Sequence, residues 1–316
     1  MWPIHPHPEN DELLSSWMVR LAHANCYKVH DFYCQYFGRT RQIWNRDIDH
    51  FAPDWLLNGL SVHSGLKLER LKLMTLRSLE GITYETYNET GITRGLLSVG
   101  VYHRTRRIFG QQFCPLCLIE DQHAYLRKSW RLATVVMCEY HHVILHDRCE
   151  HCHSPMMPHR SDMNSKFGFP QNIGIKYCST CGKPFTKNQI IPAAPELIIF
   201  QKMVYESIHS GFISFKNEHL YSFLFLDGIR TLAQGIARSE MIKERINLNK
   251  IILELSDVDV RQELMSACAN LMKDWPIHFN NYLTAHKQPY STFISKNTKG
   301  TAPYWLDKTI KLLTKI

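Results

Sequence analysis

Seven of the ten cysteines of this 316-residue chain, together with one histidine, form four pairs whose members are separated by two residues. The pairs are Cys114 and Cys117, Cys138 and His141, Cys149 and Cys152, and Cys178 and Cys181. A spacing of two residues lets one tight turn aim both side chains at one cation, and a second such turn completes a tetrahedral shell. The pattern therefore predicts two zinc ions per chain, one held by three cysteines and a histidine and the other by four cysteines.

The spacing leaves the pairing order open. Sequential zinc ribbons would join the first pair to the second and the third to the fourth, whereas a cross-braced arrangement would use the same residues in the other combination. Further histidines compete for the fourth position of a site: His142, His146, His151, His153 and His159. His142 is the most serious of these rivals, but the two-residue spacing favours His141. Each set is complete, which predicts structural zinc, since a catalytic zinc keeps an open position.

Disulfide bonds are the alternative interpretation of the cysteines. Ten cysteines in 316 residues fall short of the density of secreted disulfide scaffolds, and Met1–Asn10 is rich in proline and histidine instead of forming an apolar signal segment. Cys26, Cys34 and Cys268 fall in helical patterns and are predicted to be small core residues. Paired cysteines in a cytoplasmic protein indicate metal binding, and this is the interpretation we favour.

Several classes of enzyme and of membrane protein lack support in the sequence. The H-E-x-x-H helix of zinc proteases and a phosphate-binding glycine-rich loop ending in Gly-Lys are both missing. His7-Pro8-Glu9 matches only half of the zinc-deaminase signature, because no proline precedes Cys114. No apolar run approaches the length of a membrane span. We therefore expect a protein that is neither an enzyme nor inserted in a membrane.

The charge of the chain favours an anionic partner. Lysine and arginine total 37 against 29 acidic residues, a net charge of +8, which suits nucleic acid above other partners. The densest basic run is His103–Arg107, where Arg104, Arg106 and Arg107 stand a few residues before the first cysteine pair. Such a run either forms a solvated face or contacts a phosphate or an acidic protein.

Apolar periodicity predicts a mainly α fold with small β zinc ribbons. We divide the chain into an N-terminal helical domain (1–100), a tandem zinc-ribbon region (101–190) and a C-terminal helical domain with a basic tail (191–316). Asn10 or Asp11 is the predicted cap of the first helix. C-terminal helices are predicted at Glu196–Ser207, Leu220–Ala237, Met241–Leu255 and Val258–Lys273, and the tail from Lys287 onward is expected to be partly ordered.

One helix pair in the N-terminal domain has the layout of a helix-turn-helix. It consists of Asp54–Ser64, a turn at Gly65 and Lys67–Leu79. Lys67 and Arg70 would then lie near the exposed face of the second helix, where they could contact DNA. The alternative is a solvated basic face without any DNA contact, and the spacing alone does not separate the two.

Three stretches together resemble the TniQ/TnsD family. The first is a proline-rich lead into E-x-x-x-S-W-x-x-R-x-A, formed here by Glu12, Ser16, Trp17, Arg20 and Ala22. The second is the helical module from Asp47 to Gly81. The third resembles the zinc-binding signature of the family and contains Phe113, Cys114, Cys117, Tyr125, Trp130, Cys138 and His141. Matches in this order over residues 4 to 185 are not expected from chance similarity of short motifs.

The resemblance implies a bacterial cytoplasmic adaptor in transposition. Such an adaptor marks the insertion target and recruits the AAA+ ATPase TnsC, while a separate transposase cuts and joins the DNA. Some relatives bind a DNA attachment site themselves, and others form dimers that bind to an RNA-guided CRISPR effector complex of the Cascade type. The competing interpretation is a zinc-containing, sequence-specific DNA-binding transcriptional regulator without a transposase partner.

Overall fold

The structure is a computed structural model that describes residues 1–40, 43–89, 91–99, 108–163, 168, 172–238, 252–293 and 302–313. The predicted contact residues Arg104, Arg106 and Arg107 lie outside the described residues, as does most of the predicted helix Met241–Leu255. The chain forms two compact units. Unit 1 comprises residues 1–78, 97–131 and 145–191, and unit 2 comprises residues 79–96, 132–144 and 192–316. The predicted division into three consecutive domains stays a prediction.

Most of the regular structure is helical, as the sequence predicts, and one small sheet accompanies the helices. The α-helices are α1 (Leu14–Ala24), α2 (Val29–Phe37), α3 (Asp54–Ser64), α4 (Leu68–Leu73), α5 (Pro115–Glu120), α6 (Pro195–Ser210), α7 (Ser222–Arg238), α8 (Val258–Met272), α9 (Ile277–Ala285) and α10 (Tyr304–Leu313). Short 3-10 helices cover Leu76–Leu79, Lys128–Arg131, Pro158–Arg160, Phe185–Lys187, Leu253–Leu255 and Tyr290–Thr292. The strands are β1 (Phe212–Phe215) and β2 (Glu218–Tyr221).

The first helix of unit 1 begins without the predicted side-chain cap. Leu13 is the N-cap residue of α1 and has no capping side-chain hydrogen bond. Asp11 accepts hydrogen bonds from the backbone N–H of Ser129 (3.2 Å) and from its hydroxyl (2.8 Å) instead. The helix is held by burial of its apolar face, which includes Trp17 and Leu21 at full burial.

The predicted helix pair is present, but its second helix is shorter than expected. Gly65 ends α3 in the left-handed region at φ 75°, a conformation that glycine adopts at low cost. α4 stops at Leu73, and the chain continues as the 3-10 helix Leu76–Leu79. The backbone N–H of Leu76 donates to the carbonyl oxygen of Asp49 at 2.7 Å, so it makes no continuing helical bond. The helix-turn-helix interpretation stays a prediction.

Unit 2 contains an antiparallel β-hairpin that the sequence analysis does not predict. Phe212 pairs with Tyr221 and Phe215 with Glu218, and the turn between the strands is Lys216-Asn217. Both turn residues have positive φ, 47° and 64°, as a two-residue hairpin turn of this hand requires. The residues Glu218–Tyr221 belong to a strand, and α7 therefore begins at Ser222 and not at the predicted Leu220.

Part of the basic tail forms a helix, which the sequence analysis does not predict. Residues 304–313 form α10, whose Trp305 is 3% exposed and donates from Nε1 to the carbonyl oxygen of Leu224 at 3.0 Å. Gly228 of α7 permits this packing, because a Cβ atom there would lie 2.1 Å from the Trp305 ring. Part of the tail is therefore ordered, and the described helix is anchored by Trp305. Within the described ranges, no helix has the length and apolar character needed to cross a membrane.

Candidate metal centres

The first cysteine pair lies at the start of a short helix. Cys114 is the N-cap residue of α5 in an extended conformation, and Pro115 occupies the first helical position. The turn places Cys117 near Cys114, and both thiols are buried. Phe113, directly before the pair, exchanges two backbone hydrogen bonds with His146 at 2.8 and 2.9 Å. These bonds hold the extended entry to the pair.

The other three pairs share one tight turn. In each turn, the carbonyl oxygen of the first cysteine accepts a hydrogen bond from the backbone N–H four residues later. The distances are 3.0 Å at Cys138, 2.8 Å at Cys149 and 2.9 Å at Cys178. The backbone N–H of the same cysteine donates to the carbonyl oxygen five residues later, at 2.8 Å for Cys138 and at 2.9 Å for both Cys149 and Cys178. The fourth residue has positive φ each time, and these residues are His142 (53°), His153 (55°) and Gly182 (70°).

The repeated turn gives two of the rival histidines a backbone role. His142 and His153 occupy its left-handed position, and neither belongs to a ligand group. The side chain of His146 shares a hydrogen bond of 2.8 Å with the carbonyl oxygen of Gln189, and the ring of His159 stacks on Trp44. The sequence analysis did not recognise that the residue four positions after the first cysteine of these pairs adopts a positive φ. That position indicates a turn residue and not a ligand.

The eight predicted ligands come together in two groups, in the sequential order. The ligand atoms of Cys114, Cys117, Cys138 and His141 all lie within 4.8 Å of one another, as do those of Cys149, Cys152, Cys178 and Cys181. Within the described residues, these groups could each hold a metal ion. The grouping matches the sequential arrangement and not the cross-braced one, and zinc binding by the eight residues stays a prediction.

The donor sets and separations fit tetrahedral zinc. A Zn–S bond of about 2.3 Å places two sulfurs of a tetrahedron about 3.8 Å apart. The Sγ atoms of Cys149 and Cys181 are 3.7 Å apart, and those of Cys152 and Cys178 are 3.5 Å apart. In the other group, the Cys138 Sγ lies 3.5 Å from the His141 Nδ1. Both sets have four protein donors, so neither would keep an open position on the metal.

The thiols of the all-cysteine group differ in acidity. Burial raises the pKa of Cys178 to about 12, and it raises the pKa of Cys149 as well. Burial acts in the same direction on Cys152, but hydrogen bonds with Ser154, Cys181 and Cys178 together outweigh it and lower the pKa of Cys152 to about 7. Cys152 is therefore the first of these three thiols to become the thiolate that a metal requires.

The residues of the E-x-x-x-S-W-x-x-R motif form a buried structural network. Glu12 is 1% exposed and accepts hydrogen bonds from the Ser16 hydroxyl at 2.8 Å and from two nitrogens of Arg20 at 2.9 and 2.7 Å. Trp17 donates from Nε1 to the carbonyl oxygen of Pro6 at 2.7 Å, which fastens the proline-rich lead. The network holds the start of α1 and presents no reactive group to solvent.

The structure separates the two predicted contact residues of the helix pair. Lys67 is exposed at the start of α4. Arg70 donates from Nη2 to the carbonyl oxygens of Pro8 and Glu9, both at 3.3 Å, and it therefore holds the N-terminal segment. Of these two residues, only Lys67 has the exposure that a contact with DNA needs.

Comparison with known families agrees with the resemblance in the sequence. Residues 3–145 match the model of the TniQ family, a range that contains the Glu12 network, the helix pair and the first ligand group. No individual curated protein matches the chain significantly. The TniQ family is associated with target selection in transposition and is generally non-catalytic. Residues 3–145 of the chain therefore form a region that is similar to the TniQ family.

Proposed function

We propose that this chain is a non-catalytic adaptor that links a target-recognition element to the AAA+ transposition regulator TnsC. The recognition element is a CRISPR RNA-guided effector complex of the Cascade type or a DNA attachment site, and the adaptor works as a dimer in the first case. The observation that carries the proposal is the TniQ domain at residues 3–145, since the family is associated with target selection.

The metal centres support a structural role for zinc in this adaptor. Each group supplies four protein donors, and closed sets of this kind contribute folding free energy to small modules that have little core of their own. The turns around Cys138, Cys149 and Cys178 would become rigid on metal binding. We propose that these turns form zinc ribbons that serve as docking surfaces for partners.

The helix pair and the basic run are the proposed nucleic-acid contacts. Lys67 is exposed beside the turn at Gly65, and Lys72 is exposed on the same short helix. Arg104, Arg106 and Arg107 add three charges to a chain with a net charge of +8. Contacts of this kind to phosphates position a protein without reading a sequence, which suits an adaptor that follows another recognition element.

The experiment that tests the proposal is co-purification. The purified chain is mixed with its cognate TnsC and, separately, with a guide-RNA effector complex, and zinc is quantified in the same samples. Retention on TnsC, with two zinc ions per chain, is expected for the adaptor. Retention on the effector complex as well would favour RNA-guided targeting over a DNA attachment site. Failure to retain TnsC under any of these conditions would reject the adaptor role.

The competing function is a sequence-specific DNA-binding regulator, which the exposed lysines of α4 would serve. A regulator binds a defined duplex tightly by itself, and its preference for that duplex survives raised salt. The adaptor is expected to bind DNA weakly alone, with an affinity that falls steeply as salt rises. A titration of the chain against specific and random duplexes at two salt concentrations separates these functions.

A further inference from the structure

Unit 2 contains a cavity of about 210 Å³ that the metal centres and the helix pair do not use. Its walls combine apolar side chains, including Leu132 and Leu226, with the buried hydroxyl residues Thr83 and Thr134. Asp227 of α7 also lines the cavity, which we name the Asp227 pocket. A cavity with an apolar wall and a few polar groups is the usual form of a site that orients a ligand.

The Asp227 carboxylate has one oxygen without a partner. Oδ2 lies 3.7 Å from the Arg94 Nη1, whereas Oδ1 is buried and has no hydrogen-bond partner within the described part of the chain. Burial raises the pKa of Asp227, although Arg94 and Arg230 act in the opposite direction. The charged carboxylate thus lacks part of the stabilisation that a second donor would supply.

The charges around the pocket leave an excess of one negative charge. Arg230 lines the pocket but is paired with Glu254, which is 1% exposed and also accepts from the backbone N–H of Gly95 at 2.9 Å. The charges of Arg230 and Glu254 cancel. The remaining charged residues that line the pocket are Glu85 and Asp227, which are negative, and Arg94, which is positive. A negative pocket in a chain of net charge +8 attracts a cation and repels the phosphates of a nucleic acid.

An exposed aromatic patch continues from the rim of the pocket. Phe223 lines the pocket, and its ring stacks on Tyr221 with centroids 5.6 Å apart and an interplanar angle of 14°. Tyr221 is 65% exposed and pairs across the hairpin with Phe212, which is 53% exposed. Exposed aromatic side chains beside a charged pocket are typical of protein docking sites, where an anchor enters the pocket and its neighbour packs on the rings.

We propose that the Asp227 pocket binds the side chain of an arginine or lysine from a partner protein, while an apolar neighbour of that residue packs on Tyr221 and Phe223. The cation would donate to the carboxylate of Asp227, and its aliphatic stem would lie along Leu132 and Leu226. The inference rests on the proposed function only for the identity of the partner. Its test therefore uses neither TnsC nor an effector complex, so the two proposals fail separately.

The test is a titration followed by NMR of the methyl groups of Leu132 and Leu226. The probe is the capped peptide Ala-Phe-Arg-Ala, and the matched peptide carries citrulline, a neutral isostere, in place of arginine. We expect the arginine peptide to shift these methyl signals and the citrulline peptide to bind at least about tenfold more weakly, since it loses a charge-assisted hydrogen bond to the carboxylate.

Three variants separate the proposed contact from a general effect of charge. D227N is expected to weaken the arginine peptide at least about tenfold. R94Q removes the cation that competes with the peptide for Asp227, so it is expected to tighten binding of the arginine peptide. It also tests the proposal if D227N does not fold. E263Q neutralises an exposed acid of α8 outside the pocket and is expected to leave the affinity unchanged.

Three results would overturn the proposal. Equal affinity of the arginine and citrulline peptides would remove the role of the cation. An R94Q variant that binds no more tightly would show that Asp227 does not face the ligand. Shifts of the Leu132 and Leu226 methyl signals with single-stranded oligo-dT but not with the arginine peptide would assign the pocket to nucleic acid.

Discussion

Arg20 lays its guanidinium along the carboxylate of Glu12, with Nε 2.9 Å from one oxygen and Nη2 2.7 Å from the other. The same carboxylate accepts from the backbone N–H of Glu9 at 2.9 Å and from the Ser16 hydroxyl at 2.8 Å. The carboxylate is therefore fully hydrogen-bonded although Glu12 is 1% exposed. The residues that carry the family resemblance at this end of the chain thus act in folding.

Replacing Glu12 by alanine is expected to lower the free energy of unfolding by about 3–5 kcal/mol, because it removes the buried carboxylate that pairs with the largely buried Arg20 at 2.7 Å. Urea unfolding followed by circular dichroism measures the change. Lys311→Gln is the control, since it breaks an exposed pair with Asp307 and should change the free energy by less than about 0.5 kcal/mol. Equal effects of the two substitutions would contradict a structural role for the network.

Replacing Cys114 or Cys178 by serine is expected to release about one zinc ion per chain, because each removes one ligand of a four-ligand site. The measurement is zinc per chain by mass spectrometry of the purified protein, together with the midpoint of thermal unfolding. Cys34→Ser is the matched control, because Cys34 belongs to neither ligand group and is exposed. The prediction of a core position is wrong for Cys34 and for Cys26, which are both exposed, and only Cys268 of the three is buried. An unchanged zinc content in one of the ligand variants would reject the corresponding site.

Replacing His142 or His153 by glycine is expected to leave the zinc content unchanged and the stability equal or slightly higher. Both residues have positive φ, which glycine adopts without the cost of about 1–2 kcal/mol that a Cβ atom brings. Valine at the same positions should destabilise the protein, because a β-branched residue fits that backbone poorly. Loss of one zinc ion in a glycine variant would instead identify that histidine as a ligand.

The His159 side chain predicts a dependence of stability on acid pH. Burial lowers the pKa of His159 to about 3, whereas a histidine in the unfolded chain binds a proton near about pH 6.5. The unfolded state therefore takes up a proton that the folded state excludes. Above about pH 6.5 the group is neutral in both states, so the stability that depends on it is fully present. As the pH drops from there towards 3, the free energy of unfolding falls by about 1.4 kcal/mol per pH unit.

His159→Phe keeps a ring against Trp44 and removes the titrating group, and we expect its free energy of unfolding to fall less steeply between pH 6.5 and 4. The comparison must be a difference between variant and wild type, because Asp49 acts in the opposite direction. Burial and the neighbouring Asp47 raise the pKa of Asp49 to about 6, so ionisation of that group destabilises the fold as the pH rises. Parallel curves for the two proteins would contradict the role of His159.

Lys67 and Arg70 are expected to respond differently to substitution. Arg70→Ala removes two hydrogen bonds to the N-terminal segment and should lower the stability by about 1–3 kcal/mol. Lys67→Ala removes an exposed charge and should leave the stability unchanged while it weakens DNA binding. Thermal unfolding and DNA titration at low salt measure the two effects. Unchanged DNA binding in Lys67→Ala would favour the solvated-face interpretation of α4.

The helices could be predicted where an apolar stripe repeats over several turns. α3 begins at the predicted residue, Asp54, and α1 begins two to three residues later than its predicted cap, Asn10 or Asp11, implies. α6, α7 and α8 are recovered with small shifts at their ends. The β-hairpin could not be predicted in this way, because its strands have four residues each and its turn, Lys216-Asn217, contains no glycine. α10 was missed because its basic composition resembles that of a flexible tail, whereas Trp305 packs against Gly228 from a distant part of the chain.

The sequence by itself determined which residues form each ligand pair, because a two-residue spacing is a property of a single turn and needs no distant contact. Only the tertiary structure decided that the pairs combine sequentially and that Arg70 holds the N-terminal segment. The same holds for Asp227, which meets Arg94 in a shared pocket although the two residues lie on segments far apart in the chain. Such contacts depend on how separate segments pack, and the local pattern of residues carries no record of that packing.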